Sequence, residues 1–202
     1  MNSNNIIYQW SSSDKYPGYM GVTDAEQDRI DWYDDFMGEP LPKNFDDWII
    51  PNLEQYLGDG KKKRKLLPIG DAPTAVKTNL VSEKAVESLK DILKKYTTLY
   101  PVKLLDAPDN NYYMVVCHTK LDCLDRKASV GKLGRASNPN HFAHIDHWVF
   151  NEDCIDNNHM FVLPDDESVI YVSEYFKQRV IDAGLKGFCF KTEFWEEKPF
   201  IS

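Results

Sequence analysis

One local pattern occurs twice in this chain. It reads NLVSEKAVESLKDILKKY over residues 79–96 and VIYVSEYFKQRVIDAGLKGFCF over residues 169–190. Each time an apolar, β-prone run stops at Val-Ser-Glu, and apolar residues then recur at helical spacing. A serine hydroxyl can accept from a free amide of the first turn, and a carboxylate there suits the helix dipole. Ser82 and Ser173 are therefore expected to be N-caps. In the first copy Ala85, Val86, Leu89, Ile92 and Leu93 form one apolar stripe, with Lys94 and Lys95 at the carboxyl end. In the second, Tyr175, Phe176, Val180 and Ile181 make the apolar side, Gly184 supplies a left-handed cap, and FCFKTEFW alternates as a returning strand. The expected fold class is α+β: a mixed or antiparallel sheet with a few packed helices and two strand-helix-strand elements.

The rest of the chain is less regular. NIIYQW reads as a short strand and SSSDKYPGYMG as turn chemistry around adjacent Pro17 and Gly18. TDAEQDRIDWYDDFMG carries a capping box, Thr23 with Glu26, before Ile30, Tyr33 and Met37, so a helix is expected there. FDDWIIPNLEQYLG reads as a weaker helix or turn interrupted by Pro51. YPVKLLD and NYYMVVCHTK read as two strands joined by a turn-rich connector. DRKASVGKLGRASNPNH has no apolar periodicity and is expected to be a long loop, while HWVFNED and HMFVLP read as strands or strand ends.

The 202 residues suffice for a core that buries roughly 70% of the unfolded surface, so no metal or disulfide staple is required. The net charge of −8 is unevenly spread. Residues 1–60 hold 12 acids and three bases, Lys15, Arg29 and Lys43, whereas residues 61–202 hold 20 acids and 21 bases. Three parts follow: an acidic, helical segment over 1–60, part of the same globule or a small subdomain; a linker or loop over 61–77 that includes the basic run Lys61–Lys65; and an α+β domain over 78–202. An acidic surface repels nucleic-acid backbones and attracts basic proteins, so no nucleic-acid partner is expected. No stretch approaches the roughly 20 apolar residues of a membrane-spanning helix. The amino-terminal stretch lacks the basic and apolar regions of a secretory signal, so the cytoplasm is the expected compartment, without a membrane partner. Cys117, Cys123, Cys154 and Cys189 fit no zinc-knuckle spacing and read as reduced thiols, mostly buried.

Catalytic motifs are sparse. His141, His144 and His147 surround Asp146 at three-residue spacing, and histidine with carboxylate is metal-ligand chemistry. On a strand, however, positions i and i+3 face opposite sides, and on a helix the three spread over about 120°. Neither Ser82 nor Ser173 sits in a G-x-S-x-G elbow. The loop SVGKLGRAS has glycines and bases but no strand-to-helix context for a phosphate cradle. Asp46–Asp47 and Asp165–Asp166 are adjacent turn residues, and adjacency alone does not make an acid–base pair.

The span from NLVSEKAVESLK through YPVKLLD, NYYMVV, LDCLDRKAS and HWVFNEDCIDNNHMFVLP to IYVSEYFKQRVIDAGLKGFCF, about residues 78–192, resembles immunity family eleven of bacterial polymorphic toxin systems, first catalogued as a domain of unknown function. The resemblance implies an antitoxin that binds and neutralises a cognate secreted toxin, usually encoded beside it. It implies no catalytic residues and no cofactor. The contact surface is then expected in the acidic first third. There Trp32, Tyr33, Phe36, Phe45 and Trp48 stand beside Asp34, Asp35, Asp46 and Asp47. Aromatics are common interface anchors, and acids beside them suit a basic toxin. The same aromatics could instead pack in a core, with only the acids in water. The competing readings are a metal-dependent or nucleotide-handling enzyme built on His141, His144 and His147, and a structural or peptide-binding module.

Overall fold

The structure is a computed structural model that describes residues 6–21, 50–57, 65–75, 78–134 and 141–192. Both strand-helix-strand elements form. The first runs from β5 (Thr78–Ser82) through α1 (Glu83–Ser88) and α2 (Lys90–Tyr96) to β6 (Thr97–Leu104). The second runs from β11 (Asp166–Ser173) through α4 (Glu174–Asp182) to β12 (Phe188–Lys191). In each, the two strands do not pair with one another. β5 and β6 both pair antiparallel with β7 (Tyr112–Cys117), and β11 and β12 both pair antiparallel with β1 (Ile7–Ser12). Each unit is thus a split β-α-β with a foreign strand in its middle.

The likeness of the two units extends to register. Val81 lies opposite Tyr113 and Val172 opposite Tyr8. Ser82 Oγ accepts from Ala85 N–H at 3.2 Å, and Ser173 Oγ from Phe176 N–H at 3.4 Å. The next residue's amide then bonds the central strand's edge: Glu83 N–H donates to Asn111 O, and Glu174 N–H to Ile6 O. Its carboxylate accepts the tyrosine hydroxyl, from Tyr113 to Glu83 at 2.7 Å and from Tyr8 to Glu174. These acceptors hold the phenols in the donating form; the bond to Glu83 pushes Tyr113 up to about 12, and burial first and then the bond to Glu174 raise Tyr8. The repeated Ser-Glu pair therefore caps a helix and clamps it to the middle strand.

The caps differ in the second partner of the serine, which for Ser173 is the neutral His159 ring, Nδ1 at 3.0 Å. Ser82 Oγ also donates to Asp71 Oδ1 at 2.8 Å, and the other Asp71 oxygen accepts Lys186 N–H at 2.8 Å, tying the two units together. Ser82→Ala should therefore cost about 1–2 kcal/mol, and Ser173→Ala, with a longer cap bond, about 0.5–1 kcal/mol. Equal urea midpoints for the two variants would contradict this ordering.

Two sheets result. β10 (Met160–Leu163), β11, β1 and β12 form a four-stranded sheet in that order. β2 (Gly18–Gly21), β3 (Asn52–Gln55), β6, β7, β5 and β4 (Thr74–Ala75) close a six-stranded barrel. The α+β class is as expected from the sequence; the barrel is an addition to it. Tyr19, Leu53, Leu80, Tyr100, Val102, Leu104 and Met114 fill the barrel. Between barrel and sheet lies the main core. Val81 and Val115 reach it from the barrel's outside, Tyr8, Trp10, Val172, Phe188 and Phe190 from the sheet, and Leu89, Leu93, Phe176 and Val180 from the helices. Each such side chain, fully buried, contributes roughly 1.5–3 kcal/mol.

Three expectations are corrected. The helix after Ser82 is not continuous: Leu89, at φ −113° and ψ 17°, separates α1 from α2, although Leu93 N–H still reaches Leu89 O. In the segment expected as a weaker helix or turn, Asn52–Gln55 is strand β3, with alternating burial of Leu53 and Gln55 after Pro51. Within the expected long loop, Val130–Leu133 forms β8, paired with β9 (Phe142–His147) in a separate two-stranded ribbon. Gly131 permits that ribbon: a Cβ there would stand 2.3 Å from His144 O. The expected helix over residues 23–38 lies outside the described residues. The described part of the first sixty residues supplies β1 to the four-stranded sheet and β2 and β3 to the barrel.

Candidate partner-binding surface

The aromatic and acidic residues favoured from the sequence, Trp32, Tyr33, Asp34, Asp35, Phe36, Asp46, Asp47 and Trp48, lie outside the described residues, as does Phe45. The described residues present a different surface, on the sheet face turned away from the helices.

Alternation along β1, β10 and β11 builds that face. Tyr8, Met160, Val162, Ile170 and Val172 point to the main core, while Ile7, Phe161, Leu163, Val169 and Tyr171 point the other way. Burial on both faces explains the near-continuous apolar runs MFVL and VIYV. The β8–β9 ribbon covers the outer face with Phe142, Ile145 and Trp148. Trp148 meets Tyr171 edge-on, with ring centroids 5.7 Å apart. The short helix α3 (Glu152–Ile155), capped by Asn151, adds Ile155.

One buried charge fixes the ribbon. The Asp165 side chain is 0% exposed; Oδ2 accepts from Arg126 Nη2 at 2.7 Å and Oδ1 from Phe142 N–H at 2.8 Å. Arg126 also pairs with Asp122 at 2.7 Å. Asp165 thus anchors both the start of β9 and the segment that leads into β8.

Beyond this anchor the ribbon is open. Val130 and Leu133 are 59% and 57% exposed, and Lys132 is exposed between them. Beside the ribbon, between β9 and β11, lies a cavity of about 70 Å³. Gln9, Ala143, His144 and Asp166 rim it, over walls that include Phe142, Trp148 and Tyr171.

The three histidines are not brought to one point. His141 Nδ1 lies 3.7 Å from Asp165, His144 Nε2 lies 3.2 Å from Asp146, and His147 ends β9. Among the described residues, no group of three or more His, Cys, Asp or Glu side chains is placed to hold a metal ion. None of the four cysteines is in a disulfide. Burial pushes Cys117 up to about 11 and Cys123 to about 12, and Cys154 is exposed. No helix among the described residues is long and apolar enough to cross a membrane.

His159, absent from the candidates drawn from sequence, sits at the second helix cap. Its Nδ1 faces Ser173 Oγ at 3.0 Å and its ring packs on Tyr175 at 4.5 Å. Burial lowers its pKa below the usual 6.5, Lys95 adds to this, and Asp91 opposes it. A depressed pKa means that the unfolded chain takes up the proton first. Its stabilising contribution is complete above about pH 6.5 and is lost as pH falls through the lower folded value. His159→Gln should flatten the decline of stability between pH 7 and pH 5; an unchanged slope in urea titrations would refute the assignment.

Residues 102–193 match the model of the Immunity protein family (Imm11). The matched segment begins in β6 and carries β7 through β12, with the ribbon, α3, α4 and every residue of the cavity except Gln9. No curated protein matches the chain.

Proposed function

We propose that this protein is an immunity protein, which binds a cognate toxin protein in the cytoplasm and neutralises it without catalysis. The observation that carries this reading is the match of residues 102–193 to the immunity family. The open ribbon supports it, because exposed apolar side chains on an edge strand suit a protein interface. The toxin is proposed to be basic, since the acidic excess of the chain lies within residues 1–60.

The direct test is co-expression with the toxin domain encoded beside this gene. Growth should be restored by this chain; death at equal expression would overturn the reading. The acidic segment gives a kinetic expectation. Exposed charges are screened over about 8 Å at physiological ionic strength, so association should slow as salt rises. Reversing Asp34, Asp35, Asp46 and Asp47 to Lys should lower the on-rate about tenfold at low salt and reduce its salt dependence. An on-rate indifferent to both salt and reversal would place the contact elsewhere, with the β8–β9 ribbon first in line.

A further inference from the structure

We propose that the cavity between β9 and β11 is an anchor site for an arginine side chain of the protein that this chain binds; the inference rests on the binding role proposed above and names the chemistry of one contact. Three polar groups at this cavity have no hydrogen-bond partner among the described residues. Tyr171 is only 3% exposed, lines the cavity, and its hydroxyl is unpaired there. The Gln9 carboxamide, half-buried on the neighbouring strand, is unpaired likewise. Asp166 uses Oδ1 for Ser168, through both the amide at 3.0 Å and the hydroxyl, while Oδ2 has no such partner. Water meets such groups until a ligand takes its place.

The chemistry of the three groups selects the occupant. All can accept, and one is an anion. A carboxylate ligand would meet Asp166, and an aliphatic one would leave three polar groups unmet. A guanidinium has five donors in a plane and no acceptor. The walls suit it as well. Phe142, Trp148 and Tyr171 present aromatic surface, on which a weakly hydrated planar cation stacks better than an ammonium. His144, the basic side chain on the rim, lies against Asp146 at 3.2 Å, which places a second carboxylate beside the mouth. The volume of about 70 Å³ admits a side-chain tip of a few heavy atoms, not a cofactor.

The probes are blocked single amino acids: the N-acetyl amides of arginine, lysine, leucine and glutamate, titrated into the full chain and followed by NMR. Arginine should shift the Trp148 indole N–H and the Gln9 side-chain amide saturably. Asp166→Asn should weaken that binding about tenfold, the usual effect of losing a charge-assisted hydrogen bond. Ala143→Phe, at an exposed rim position, should abolish it by closing the mouth. Preference for leucine or lysine, or no saturable shift with any probe because the cavity holds only water, would overturn the inference. The same two variants are then tested against the toxin domain. If wild type binds it and both variants bind equally well, the anchor is wrong and the immunity role stands. If wild type does not bind it while arginine still fills the cavity, the toxin reading fails and the arginine site stands.

Discussion

Replacing Phe176 with Ala should remove about 3–5 kcal/mol of stability, the range for a fully buried aromatic truncated to a methyl group. Phe176 is 0% exposed and is the first buried residue after the Ser173 cap. Its ring lies 5.7 Å from Trp10 and 6.2 Å from both Phe188 and Phe190. Trp10 in turn stacks on Phe188 at 5.2 Å. One side chain therefore joins α4 to β1 and β12, and its loss leaves a cavity among rigid rings that cannot collapse to fill it. Small domains hold only about 5–15 kcal/mol in total, so the variant should unfold at much lower urea with little change in slope. Gln178→Ala, on the exposed side of the same helix, should stay within about 0.5 kcal/mol. A Phe176 variant that unfolds with the Gln178 variant would mean that α4 is not fixed to the sheet by this cluster.

Asp165→Ala should cost about 3 kcal/mol, near the low end for a broken buried ion pair because Arg126 keeps 27% exposure and a second carboxylate in Asp122. The damage should be local in character. Without Oδ1 the Phe142 amide loses its acceptor, and without Oδ2 the Arg126 guanidinium loses its buried partner. Both losses fall where the ribbon is tied to the sheet. Hydrogen exchange should therefore accelerate in β8 and β9 well before it does in β7. Asp165→Asn keeps an acceptor for Phe142 and should cost less, about 1–2 kcal/mol. Uniform acceleration across both sheets, or equal costs for Ala and Asn, would show that the charge does not act through the ribbon.

What the sequence disclosed and what it hid divide along the range of the interactions. Ser82, Ser173 and Gly184 were legible because caps depend on a few neighbouring residues; Gly184 does take φ +59°. The strands in YPVKLLD and NYYMVVCHTK were legible from the turn-rich connector between them, although the first already begins at Thr97. The barrel was not, because closure depends on β2 pairing with β4 and β3 with β6, contacts of two residues each between distant segments. β8 was hidden because Val-Gly-Lys-Leu alternates nothing; the need for Gly131 exists only once His144 O lies over it. Asp165 and Asp166 looked like one turn. The fold buries the first against Arg126 and leaves the second on the rim of a cavity. Gln9 and Tyr171 read as ordinary strand residues, and only the pairing of β1 with β11 sets them opposite one another. The aromatic and acidic stretch from Trp32 to Trp48 stands on composition and charge alone.

The middle position of β1 has a consequence in time. Its partners in the sheet, β11 and β12, are made about 170 residues later, as the register from Ile7 to Ser173 and from Ser12 to Phe188 requires. At about 5–20 residues per second, a ribosome takes roughly ten to thirty seconds to cover that distance. Throughout it Ile7, Tyr8 and Trp10 await a template, while β5, β6 and β7, close together in sequence, are free to assemble. The barrel side should consequently mature during synthesis and the four-stranded sheet only after it. The outer sheet face, and with it the proposed binding surface, would be complete no sooner than β12 has emerged and found β1.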